Sequence, residues 1–511
     1  MAVVFSLDEI DAEVKKDIQK ELTLIPIDPY ESKNPWAKKQ VYSAPKVSVQ
    51  MYLVDIETRT VRIPFHVAMQ RMGEKPNRHK KYPKLSKKGP PKFCAQLREY
   101  QVPIVDEALQ QLKDNCTTTL GLPPASGKTI MGAWLAGKAN GVIMTLAHRK
   151  KICKAWVTTF RLCFPSLAKM IWFVGEFEAE EGIVANKICT SSEDECGKCK
   201  GCLEEDYIIP AIIICMDGRI NQIPHRVRQA VKTLIVDEAH LFCTPGRVEC
   251  LLCTEPQFII AESATLNRAN GMASMIKSMV GEEGVFRLPD KPHRVYRIKT
   301  GIKVELVKGK RGTDFTDLTK KLLNHGERNL MVLNCVLCNP HRKIIIMVRY
   351  NEHIPILVRL LHEVGIEAAT LYGNKEEYSD SHVLIGNIPK MGVGFDEANS
   401  CSDFQGRPSD LMILLTSLAD QDLYEQVKGR VMRSDDPVLF YFEDKLSIVK
   451  KHIDNRVEWI EQTKGTVIDF PYEEGAMGIA NMKYDEDGNG VEVPIVAPTI
   501  KKKKKIVVKN K

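Results

Sequence analysis

The chain has 511 residues, 44% of them hydrophobic and 27% charged, a balance typical of soluble globular proteins of about two to four domains. No apolar run approaches the roughly 18 residues of a membrane-spanning helix. Met1–Lys20 is acidic and amphipathic and lacks the apolar core of a signal peptide. These features exclude a membrane partner and lead us to expect a soluble, intracellular protein. The net charge is +8, but Arg71–Lys92 carries +8 and Lys501–Lys511 carries +7, so the remainder of the chain is at −7. Two concentrated basic segments suit a phosphate backbone; the plain alternatives are a flexible solvated linker and a solubilising tail. Lys501–Lys505 also reads as a nuclear-import signal.

In chain order, Val47–Val54 and Thr60–Pro64 read as strands of a small N-terminal accessory domain. The Lys- and Pro-rich stretch from Lys75 to Lys92 reads as a linker. From Gln96 the pattern becomes α/β. Thr117–Leu122 is a strand, Ile130–Ala139 a helix and Val142–Leu146 the next strand. Ala211–Cys215, Thr233–Val236 and Phe258–Ala261 are continuous apolar runs, as in parallel strands buried on both faces. A second α/β series begins near Lys291. It has strands at Lys343–Val348, Ala368–Tyr372, His382–Ile385, Leu411–Leu415 and Val438–Phe442, and a helix at His353–Glu363. The expected architecture is α/β, with two tandem parallel-sheet domains. The divisions are 1–90 (accessory domain and basic linker), 91–290 (first α/β domain), 291–475 (second) and 476–511 (basic tail).

Ser126-Gly127-Lys128-Thr129 sits where a strand turns into a helix. Backbone N–H groups of such a turn cradle phosphates, and the helix N-terminus favours negative charge. Pro124, Ala125, Ser126 and Gly127 would form the cradle. Lys128 would reach the β- and γ-phosphates, and the Thr129 hydroxyl would hold Mg²⁺. Leu122 and Ala125 stand where this motif commonly has glycine. Downstream, the apolar run Leu234–Val236 ends in Asp237-Glu238-Ala239-His240. Asp237 suits Mg²⁺, and Glu238 suits orienting or deprotonating an attacking water. Alone, the first motif could be a chance surface turn and the second a polar strand cap; their order argues for one nucleotide site.

On these motifs the chain, from Gln96 to Arg433, resembles the superfamily 2 helicases of the DEAH-box sort. Leu97-Arg98-Glu99-Tyr100-Gln101 is similar to the element that in this family sets a glutamine, here Gln101, near the adenine. Thr145–Trp156, with Arg149, Lys150 and Lys151, resembles the motif that grips a nucleic-acid backbone. Ser263-Ala264-Thr265 resembles the coupling motif, with Leu266 and Asn270 in place of its usual Pro and Asp. Gly392–Asp396, through Gly394 and Asp396, looks like the second-lobe motif that touches both nucleotide and strand. Gln426–Arg433 fits the family's closing element. The likeness implies a nucleotide contact from Gln426 and arginine fingers at Arg430 and Arg433. The nearer likeness is to helicases of large DNA viruses, of the poxvirus transcript-release and iridovirus-like types, and to the phage recombination helicase. It implies two RecA-like lobes, ATP and Mg²⁺ as cofactors, and a viral protein of the host cytoplasm, nucleus or virion. It also implies transcription or replication machinery as a partner.

Cys189, Cys196, Cys199 and Cys202 lie in an insertion, 189–202, of the first α/β domain. Four closely spaced thiols have the ligand count for tetrahedral Zn²⁺; an iron–sulfur centre and adventitious thiols are the alternatives. Cys250, Cys253, Cys335 and Cys338 have apolar spacers and read as core residues. The reading is an ATP-dependent nucleic-acid helicase or translocase, with DNA favoured. Its rivals are an RNA helicase or transcript-release factor, and a non-catalytic nucleic-acid-binding subunit with a decayed phosphate loop.

Overall fold

The computed structural model describes residues 1–25, 48–73, 75–123, 126–175, 209–263, 274–289, 291–309, 312–392, 395–485 and 489–493. Pro124, Ala125, Thr265, Gly394, the four cysteines of the insertion and the lysine tail lie outside them. The described residues form two compact units, one built from Met1–Leu122 and Ser126–Arg287, the other from Leu288 onward.

The first unit is organised on a parallel sheet. Its strand order is Val285–Phe286, Thr117–Gly121, Phe258–Glu262, Val231–Asp237, Val142–Ala147, Ile212–Met216, Ile171–Phe173. The strands read as unbroken apolar runs because both faces are covered. Ile143, Ile212, Ile235 and Ile260 point to one side, where Leu135, Trp156 and Ile104 cover them. These three come from the helices Lys128–Lys138, Lys150–Cys163 and Gln101–Asn115. Met144, Leu234, Val236 and Ile213 point to the other side, against Met1, Val3, Ile63, Phe65, Leu251 and Met275.

The N-terminal residues thus share a core with the sheet. Ala2–Ser6, Thr60–Pro64 and Leu53–Asp55 make a small antiparallel sheet on that side. The basic stretch after it, which reads as a linker in the sequence, makes hydrogen bonds to this unit. It has no helix or strand between 75 and 92, yet it is tied down. Tyr82 Oη donates to Glu255 O at 2.7 Å, and Lys80 Nζ is 3.1 Å from Glu255 Oε2. Ser86 and Asn140 exchange two hydrogen bonds, at 3.0 and 2.9 Å. Lys81, Lys84, Lys87, Lys88 and Lys92 remain exposed.

The second unit repeats the plan. Its parallel strands run in the order Ala368–Leu371, Val383–Asn387, Ile344–Val348, Leu411–Leu414, Val438–Glu443, His293–Lys299, Gly465–Pro471. Alternate residues again feed two cores, Ile345, Met347 and Met412 on one face and Ile344, Ile346 and Ile413 on the other. The sheets are the two tandem α/β lobes expected from the sequence. Cys250, Cys253 and Cys335 are buried free thiols and Cys338 is partly buried.

Candidate nucleotide site

In the first unit Thr117–Gly121, Val231–Asp237 and Phe258–Glu262 end at one edge of the sheet. Ligands of open parallel sheets bind at this carboxyl edge. The helix that follows the first of these strands starts at Lys128, with Gly127 in the left-handed region at φ 82°. That φ favours glycine, and a Cβ there would crowd Gln101 Nε2. Gln101 is 2% exposed. It donates from Nε2 to Ser126 O at 2.9 Å and accepts from Arg98 N at 2.9 Å. Tyr100 Oη also donates to Ser126 O, at 3.1 Å. Gln101 is thus docked on the backbone of the loop that precedes the helix. Lys128 Nζ donates to Leu122 O at 2.8 Å, just past the end of the preceding strand, and Thr129 is half-buried on the first turn of the helix.

Asp237 is buried at the end of its strand and accepts from Trp156 Nε1 at 2.8 Å. Burial and the neighbouring Glu238 push its carboxyl above the ordinary aspartate range, against the opposing pull of Trp156 and Lys128. Glu238 has φ 50° and ψ 53°, a left-handed conformation uncommon for a residue with a Cβ. The chain turns sharply there, out of the sheet and into the short Ala239–Phe242 turn. His240 Nδ1 lies 3.4 Å from Glu238 Oε2 and 3.0 Å from Ser263 Oγ. One imidazole therefore joins the end of the Asp237 strand to the first residue of the expected coupling motif. A third carboxyl that sequence reasoning missed, Glu262, pairs in register with Asp237. Burial and Asp237 hold its carboxyl well above the usual range.

This donor set suits a hard cation, which takes carboxylate and hydroxyl oxygens. Thr129 and Asp237 are the residues that would hold Mg²⁺, and the bound ion would neutralise phosphate charge. Among the described residues no three His, Cys, Asp or Glu side chains form a metal site by themselves. Magnesium typically completes its shell with water and substrate phosphate.

In the expected backbone-gripping segment, Arg149 and Lys150 are exposed and Lys151 is partly buried, at the start of the helix Lys150–Cys163. His148 beside them is held neutral by burial and by Arg149 and Arg247, which push its pKa down to about 4.

The second unit gathers its own set. Gln426 lies, nearly buried, on the helix Gln421–Lys428, and the chain continues from this helix into Arg430 and Arg433. Arg430 donates to Phe395 O and, at 2.7 Å, to Gly392 O. Arg433 forms a two-pronged pair with Asp396, both contacts at 2.8 Å. Asp396 also caps the next short helix through Ala398 N at 2.9 Å. Arg430 therefore leans on Gly392 and Phe395, and Arg433 on the adjacent Asp396.

Residues 95–268 match the family described as "Type III restriction enzyme, res subunit". The chain is 26% identical over 443 residues to "Putative helicase 161L" of Invertebrate iridescent virus 6, covering 82% of this chain and 91% of that protein. It is 24% identical over 369 residues to "Putative helicase 055L" of Frog virus 3, covering 70% and 76%. Among solved structures it is similar to T4 UvsW, with 13% identity, coverage of 91% of this chain and 97% of that one, and a TM-score of 0.33. The likeness expected from the motifs is thus met by helicases of large DNA viruses over most of the chain, and by the res-subunit family over residues 95–268.

Proposed function

We propose that the chain is an ATP-dependent helicase or translocase that acts on DNA in viral transcription, replication or recombination. The observation that carries this reading is the convergence of Lys128, Asp237 and Glu238 at the carboxyl edge of one parallel sheet. In this reading the loop through Ser126 and Gly127 cradles phosphates, Lys128 neutralises the β- and γ-phosphates, and Thr129 and Asp237 hold Mg²⁺. Glu238 orients or deprotonates the attacking water. Arg430 and Arg433 supply transition-state charge from the second lobe, so hydrolysis is tied to lobe motion. Gln101 and Gln426 support the nucleotide, and Ser263, Thr265, Gly394 and Asp396 couple it to the strand. Arg149, Lys150 and Lys151 grip phosphates. Zn²⁺ on Cys189, Cys196, Cys199 and Cys202 remains part of the proposal.

The test is ATP hydrolysis by the full chain, titrated with single-stranded DNA, duplex DNA and RNA. DNA should stimulate turnover, and added salt should weaken the stimulation. Lys128→Ala, which removes the charge on the phosphates, and Glu238→Ala, which removes the general base, should each lower turnover by about 100-fold or more. Turnover that survives Glu238→Ala would refute the active-site assignment. Stronger stimulation by RNA than by DNA would transfer the activity to RNA.

A further inference from the structure

We propose that Glu262 is an additional acidic residue of the magnesium–nucleotide site, acting with Asp237 on the water shell of the bound cation. The proposal rests on the nucleotide-site reading above.

Glu262 ends a strand whose preceding residues, Ile259, Ile260 and Ala261, are all apolar and buried. It is itself 1% exposed, and neither carboxyl oxygen has a hydrogen-bond partner among the described residues. An unsatisfied carboxyl in a sheet core is unfavourable unless a ligand completes it. Its position says where that ligand sits. Glu262 is the in-register neighbour of Asp237 on the adjacent parallel strand.

Space for the side chain is provided by Gly132, one helical turn after Lys128. A Cβ at Gly132 would lie 2.1 Å from Glu262 Oε1. The carboxyl therefore reaches the helix that begins at Lys128. The next residue, Ser263, bonds His240 at 3.0 Å. A hydrated divalent cation suits such a place. Magnesium keeps several waters, and those waters need acceptors beyond the direct ligands.

The test is binding of a fluorescent ADP to the full chain during a Mg²⁺ titration, with a parallel measurement in EDTA. Glu262→Gln should raise the Mg²⁺ concentration at half-maximal nucleotide binding by about 10-fold, the scale of a lost outer-sphere metal partner. Affinity in EDTA should change by less than about 2-fold, because the carboxyl acts through the cation. Gly132→Ala keeps the charge but displaces the carboxyl, and should shift the Mg²⁺ dependence in the same direction. A thermal melt identifies folded variants; if Glu262→Gln fails to fold, Gly132→Ala carries the test. An unchanged Mg²⁺ midpoint in the folded variants would overturn the role of Glu262. Lys128→Ala separates the two readings: wild type and Lys128→Ala binding nucleotide equally would remove the nucleotide site itself, and the role of Glu262 with it.

Discussion

At the scale of single residues, the side chains with a fixed sequence neighbourhood were readable and those defined by register were not. Lys128 and Asp237 stand out because a lysine after glycine at a strand–helix turn is followed downstream by paired acids after an apolar run; it is the order of the two patterns, not either alone, that marks them. Trp156 and Glu262 lie far from Asp237 in sequence; helix packing and strand register bring them to it. Trp156 is fully buried, its ring 5.3 Å from Phe160, and its one polar atom is spent on Asp237. Trp156→Phe keeps an aromatic ring in place and deletes that bond. A hydrogen bond to a charged group is worth about 1.5–3 kcal/mol. We expect a stability loss in this range by chemical denaturation, together with about a 10-fold fall in stimulated ATPase turnover from a mis-set Asp237. Lost stability with unchanged turnover would make Trp156 a packing residue only.

At the scale of elements, central strands were visible as apolar runs, whereas Ile171–Phe173 and Val285–Phe286 are too short to stand out. His293–Lys299 was hidden for another reason. Its sequence, HRVYRIK, looks like an exposed strand, yet it lies inside the second sheet. Its charges are neutralised by partners distant in sequence. Arg297 pairs with Glu443 at 2.6 Å and Asp454 at 2.8 Å, and Arg294 with Asp436 at 2.7 Å. Asp436 is the node of this arrangement. It also accepts from the fully buried Arg342 at 2.5 Å and from Met482 N at 2.9 Å. It follows Arg433 by three residues, so it anchors the outgoing end of the expected finger element. Removing one partner of a buried ion pair costs about 3–5 kcal/mol, because the other charge stays buried. Asp436→Asn should therefore destabilise the second unit by about 3 kcal/mol, seen as a lower urea midpoint. A change below about 1 kcal/mol, the scale of an exposed pair, would mean that the two guanidiniums reach water or another acceptor.

At the scale of the whole molecule, composition shows two basic segments, and they differ. Residues 75–92 are docked on the first unit through Lys80, Tyr82 and Ser86 while presenting Lys81, Lys84, Lys87 and Lys88 to solvent. The sequence could not reveal the docking, because the anchoring partners, Glu255 and Asn140, lie far along the chain. Lys501–Lys511 lies outside the described residues, and only its charge of +7 is known. Counterion release distinguishes a phosphate contact from a solubilising charge. Each phosphate neutralised on single-stranded DNA adds about 0.7 to the slope of log affinity against log salt. Replacing Lys81, Lys84, Lys87 and Lys88 by Gln should flatten that slope by about 2 if at least three of them touch the strand. Because phosphate contacts carry no base information, the loss should be of similar size on different DNA sequences. Deleting 501–511 should flatten the slope by a comparable amount if the tail binds phosphate, and leave it unchanged if the tail serves only as an import signal. Salt-dependent binding of the three proteins to one oligonucleotide separates these cases. An unaltered slope in both variants would leave the basic segments without a role on the strand.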